Sequence, residues 1–185
     1  KKGPKSVAII VFLGALLLAF QAYGDYQLHS AEDLSDEEIL TLLETPNSQA
    51  ADEDDITVEQ YQEFHDAARE SGGYALRAAG LGLGVVMMLV GSALLFQLKP
   101  VGAWLNVGGA SIGLVSGVVG SWLLGGAAAA NLTGPLLLTY QILTYFCGVC
   151  MFSCIGLAAL PLLNARARLA LYPNPTVVLS LDEQE

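Results

Sequence analysis

The residues of this chain that could do chemistry fall into a few small groups. Cys147, Cys150 and Cys154 are spaced i, i+3, i+7, which puts all three sulfurs on one face of a helix. Thiols so placed invite a metal reading, but a zinc site needs a fourth donor. No histidine lies in the same apolar stretch, and thiolates are costly in hydrocarbon. The three are read as small apolar filler, with no metal and no other cofactor expected. Asp52, Glu53, Asp54 and Asp55 with Glu63 invite comparison with a calcium loop, since Asp52, Asp54 and Glu63 match positions 1, 3 and 12. Ile56 at position 5 and Thr57 at the glycine position break that pattern, so the run is read as a solvated acidic face. His29 and His65, the two imidazoles, are expected at the surface. Asn131-Leu132-Thr133 is a glycosylation sequon so close to two apolar stretches that no modification is expected.

The elements that must position these groups are dominated by apolar length. Pro100 to Ala165 runs for 66 residues without an Asp, Glu, Lys or Arg. A bilayer core needs roughly 20 apolar helical residues, so this stretch allows two crossings, turning at 131–135. Ser6 to Gly24 and Tyr74 to Leu98 supply two more. The first is longer than the apolar core of a cleavable leader, and is expected to be retained. We therefore expect an all-α integral membrane protein, a four-helix transmembrane bundle. Its segments are an amino-terminal tail and helix over 1–24, an extracytoplasmic loop over 25–73, three helices over 74–165 and a tail over 166–185. Hydrophobic residues make up 54% of the chain and the mean hydropathy is +0.52, both in keeping with that class.

Charge is distributed unevenly. The net charge of −10 is concentrated in residues 25–76, which carry −14, while 1–24 carries +3 and the remainder +1. So negative a surface excludes nucleic acid, whose phosphates are bound by Lys and Arg. Lys1, Lys2, Lys5, Lys99, Arg166 and Arg168 fall on one side of a four-span layout. The positive-inside rule makes that side cytoplasmic, with both termini there and the acidic loop opposite. Trp104 and Trp122, 18 residues apart, lie about 27 Å apart on a helix, the spacing of two interfaces.

The acidic loop is expected to be a two-helix hairpin. Ser35 with Glu38, and Thr57 with Gln60, are capping boxes, each flanked by a hydrophobic staple. Pro46 is expected to end the first helix. Val58, Tyr61, Phe64, His65 and Ala68 form one apolar side of the second.

In the spans, Gly80 and Gly84, then Gly109, Gly113 and Gly117, are spaced as G-x-x-x-G, which lets helix backbones approach closely. The seam could join spans of one chain or bring in a second subunit. No nucleophile–base pair is legible, so no enzyme is expected. The function read from this is a non-catalytic accessory or scaffold subunit of a larger membrane assembly, with other membrane subunits or further copies of itself as partners in the lipid bilayer. Asp52, Glu53, Asp54, Asp55, Tyr61 and Phe64 are the expected docking residues. The alternative is a small oligomeric channel or permease lined by Gln97, Asn106, Ser111, Ser116, Ser121, Thr139, Gln141 and Thr144.

Four spans with the largest loop first resembles the claudin-like and tetraspanin layouts. The resemblance covers topology alone. The claudin loop tryptophans and cysteine pair are missing, as is the tetraspanin Cys-Cys-Gly, so no function and no residue is carried over.

Overall fold

The computed structural model describes residues 2–31, 33–49 and 55–172, without the side chains of residues 2, 49, 147 and 150. Among them are seven helices and no strand: α1 (Lys2–Ser30), α2 (Asp36–Gln49), α3 (Val58–Glu70), α4 (Gly73–Phe96), α5 (Pro100–Asn131), α6 (Gly134–Leu163) and α7 (Ala165–Leu171). α1, α4, α5 and α6 are long and apolar enough to cross a membrane.

α4 and α5 form the most extensive pair, with α1 laid on α4 and α6 on α5. Their contact is made by backbone. A Cβ at Gly84 would stand 2.7 Å from the carbonyl oxygen of Gly109, and one at Gly109 would stand 2.7 Å from that of Gly84. A Cβ at Gly102 would strike the Leu95 amide, and one at Gly80 would strike Ser116. Gly113 has more room, with its nearest neighbours, Leu81 and Met151, at 3.7 Å. Gly117 faces Met151 of α6 at 3.2 Å. The tightest crossing therefore lies at Gly84–Gly109 and Gly91–Gly102, displaced from the centre of the Gly109–Gly117 series. Asn106 is fully buried beside Gly91, and the Ser92 hydroxyl donates to its Oδ1 over 3.4 Å.

Small residues also close the rest of the bundle. Ala8 and Ala103 pack with Leu95 and Leu171 at the Lys5 end. Ala15, Ala110 and Ala158 surround Met88 and Val11 at mid-height. The α4–α5 link is short, and Leu98 takes a left-handed φ of 61°. Its N–H donates to Leu95 and that of Lys99 to Leu94, closing the helix end. Pro100 then opens α5, where its missing N–H removes nothing. α6 runs to Leu163, past Pro161 in its last turn, before Asn164 breaks the helix and caps α7. No expectation covered α7.

Two element ends differ from their sequence expectations. α1 continues beyond Gly24 to Ser30, because no proline or cap interrupts it and Leu28 keeps its apolar spacing. Pro46 does not stop α2, which runs on to Gln49. Its last turn is held from outside: Asn47 Nδ2 donates to the Ile56 carbonyl (2.9 Å), and the Ile56 N–H donates to Asn47 Oδ1 (3.1 Å). Both capping boxes form. The Ser35 N–H and hydroxyl donate to Glu38 Oε2, and the Thr57 and Gln60 bonds are reciprocal.

Alanine at Gly84 or Gly102 should destabilise the protein by about 1–3 kcal/mol through overpacking, and Gly113→Ala should cost far less. Thermal unfolding of the three variants in detergent checks the order; equal effects would show that the close crossing is elsewhere. The hydrogen bonds from Ser35, the hydroxyl first, hold the Glu38 carboxyl below the usual glutamate range. That support for α2 is complete above the ordinary glutamate pKa of about 4.3 and is lost as pH falls through the lower folded value. In Ser35→Ala the Glu38 carboxyl should titrate at higher pH than in the parent, as read by carboxyl NMR.

Candidate functional site

The apolar stripe of α3 and part of that of α2 are covered by the chain's own helices, while Leu40 and Leu42 of α2 stay exposed. Ile39, Leu43, Ile56, Phe64 and Ala68 join Leu124, Ala128, Leu132 and Leu136 of the α5–α6 end in one core. Phe64 is fully buried and meets Tyr140 of α6 edge to face, with ring centroids 5.0 Å apart. Tyr61 stacks on Phe64 in turn, at 5.6 Å. Tyr61 and Phe64, expected to dock a partner, are therefore turned inward and unavailable for it. The reason is the position of α3 directly over α5 and α4, where burying both rings removes far more apolar area from water than solvent exposure allows. His65 is also buried, contrary to its expected surface place. Its Nε2 lies 3.2 Å from the Ala31 carbonyl oxygen, and its ring leans on Tyr74.

What remains exposed on this cap is largely acidic, with Leu40 and Leu42 of α2 also exposed. Asp33, Asp36, Glu37, Glu38 and Glu44 of the α2 side, with Asp55, Glu59, Glu63, Asp66 and Glu70 of the α3 side, all face out. Some of them flank a groove between the two helices, floored by Leu34, Ile39 and Val58. Asp52, Glu53 and Asp54 lie outside the described residues.

Beneath the cap the bundle opens. α1 and α6 touch only sparsely, and toward the cap a cavity of about 520 Å³ separates them. α1 contributes Leu18, Gln21, Asp25 and Leu28, which recur at helical spacing on one face. α6 contributes Tyr140, Leu143, Thr144, Phe146, Met151 and Cys154, while Tyr74 and Arg77 of α4 and Ser121 and Leu124 of α5 complete the lining. Asp25 is 5% exposed, and its Oδ2 lies 3.1 Å from Arg77 Nε. The two charges are in contact, but neither atom has an aligned hydrogen bond. Gly120 makes the reach possible, since a Cβ there would collide with the Arg77 stem.

This ion pair was not anticipated, because Asp25 was assigned to the loop. The signal was present in the 3-4-3 spacing of Leu18, Gln21, Asp25 and Leu28, which carries the helix past Gly24. The residues expected as a polar channel lining fall in several places within the single chain. Asn106 and Ser116 lie in the α4–α5 seam, and Ser121 and Thr144 border the cavity. Thr139, Gln141 and Gln97 are exposed elsewhere. Ser116, Thr139 and Thr144 each donate to a carbonyl one turn back in their own helix.

Removing one member of a buried pair leaves the other charge stranded. Asp25→Leu should therefore cost about 3–5 kcal/mol, and the double variant Asp25→Leu/Arg77→Leu should recover most of it. Denaturant unfolding in detergent reads both; a double variant as damaged as the single one would refute the pairing as the source of the loss.

No protein-family model, curated protein or solved structure matches this chain.

Proposed function

We propose that the chain is a non-catalytic multi-pass membrane protein, an accessory subunit of a larger membrane assembly that presents an acidic platform to a basic partner. The placement of the lysines and arginines supports a layout with both termini on the cytoplasmic side and the α2–α3 hairpin on the opposite side. The observation that carries the reading is the burial of Ile39, Leu43, Tyr61, Phe64 and Ala68 against the bundle, with ten acidic side chains left facing out beside the exposed Leu40 and Leu42. A surface of one sign, held on a packed base, steers and orients a partner of the other sign. The glycine seam supports a scaffold role in a different way. Its close contacts lie within the chain, so the bundle brings a preformed shape to the assembly.

The test is native purification in mild detergent with identification of the chains that accompany it. Glu59→Gln/Glu63→Gln/Asp66→Asn should release the partner, as should raised salt, while the thermal midpoint stays within the small range of surface substitutions. A lone monomer in the parent preparation, or a partner retained by the triple variant, would overturn the proposal.

A further inference from the structure

The cleft between α1 and α6 has the composition of a binding site. Its volume of about 520 Å³ falls within the range of roughly 300–1,000 Å³ typical of small-molecule sites. The wall is apolar at Leu18, Leu143 and Met151, and polar groups converge at one end. Leu143 and Phe146 line the cleft and are also exposed on the flank of the bundle. They mark a mouth that opens sideways between two helices, while Tyr74, Tyr140 and the buried Phe64 close the end beneath the cap.

The polar end specifies the occupant. Asp25 and Arg77 both line the cleft, and their facing atoms, Oδ2 and Nε, lie 3.1 Å apart, buried against each other without an aligned hydrogen bond. Together they present an acceptor and a donor with no net charge. The remaining polar lining is uncharged, from Gln21, Ser121 and Thr144 with Tyr74, Tyr140 and Cys154. An anionic or cationic head would have to displace one half of the ion pair and leave the other unpaired. A neutral head that both gives and takes a hydrogen bond can meet the carboxylate and the guanidinium together and leave the pair intact.

We propose that the cleft between α1 and α6 binds a neutral amphiphile from the bilayer, with an uncharged hydroxyl or carbonyl head on Asp25 and Arg77 and an apolar body along Leu18, Leu143 and Met151. The inference rests on the membrane reading and is independent of the accessory-subunit one. A diacylglycerol and a sterol share the required chemistry.

The experiment uses the whole protein in phosphatidylcholine vesicles, with retention after an alkaline carbonate wash reporting insertion separately. Photoreactive diacylglycerol, sterol and phosphatidylglycerol probes are each crosslinked, and the labelled peptides are mapped. One of the two neutral probes should label α1 and α6 around residues 18–28 and 140–154, and the one that does identifies the source. Excess unlabelled compound should suppress that labelling in the parent protein. Leu143→Trp, which fills the mouth, should reduce it about tenfold. Thr144→Val should weaken it without altering the packing volume. Labelling that does not saturate, that spreads to the Trp104 and Trp122 surfaces, or that is as strong with phosphatidylglycerol overturns the proposal in a protein that passes the carbonate wash.

Discussion

Everything in this structure is referred to one contact, the backbone-to-backbone approach of α4 and α5. Gly84 and Gly109 each face the other's carbonyl, and Gly91 and Gly102 repeat the arrangement nearer the Lys5 end. In the bilayer proposed for this chain, burying more apolar surface would bring no advantage, and close dispersion contact and Cα–H···O geometry would decide which helices pair. The glycines make that contact possible, and the left-handed turn at Leu98 brings the two helices together after a three-residue link. With α4 and α5 joined, α1 and α6 have only their outer flanks to occupy.

The chain uses different materials along its length as a result. Alanines close the bundle around Ala15, Ala110 and Ala158, while aromatic and aliphatic side chains build the cap over Leu124 and Leu132. Between these two zones only the small cluster of Ala22, Leu81 and Met151 is packed. The bundle is still splayed there, and the residues that bridge the gap are polar: Gln21, Asp25, Arg77, Ser121 and Thr144. The cavity is thus a boundary between two modes of packing, with the ion pair set at that boundary. Its position, one helical turn below the first residues of α4, follows from where Gly120 leaves room for the arginine stem.

The long apolar runs and the capping boxes were legible because each is decided by local chemistry. Ser35 and Glu38 need only each other, and Pro100 needs only its own ring. What faces what was not legible, since that depends on tertiary contacts. Tyr61 and Phe64 form an amphipathic stripe whether the cover is another protein or the same chain, and the sequence pattern is identical in either case. His65 looked like a surface residue because its partner, the carbonyl of Ala31, lies 34 positions away and carries no side-chain signal. Asp25 was assigned to the loop by its charge, when its spacing from Leu18 and Gln21 was the better guide. Pro46 follows the usual rule for helix interiors, and two hydrogen bonds between Asn47 and the Ile56 backbone, one donated and one accepted by Asn47, outweigh it.

The carboxyl end of α1 is fastened to the cap. Arg69 Nε donates to the carbonyl of His29 over 3.2 Å, and His65 holds that of Ala31. Both acceptors belong to the last carbonyls of a helix, which have no partner within it. α1 is also one wall of the cleft, so leaning it away from α6 would drag these two anchors and turn α3 with them. The gap between the two flanking helices and the orientation of α3 are therefore linked through these two hydrogen bonds.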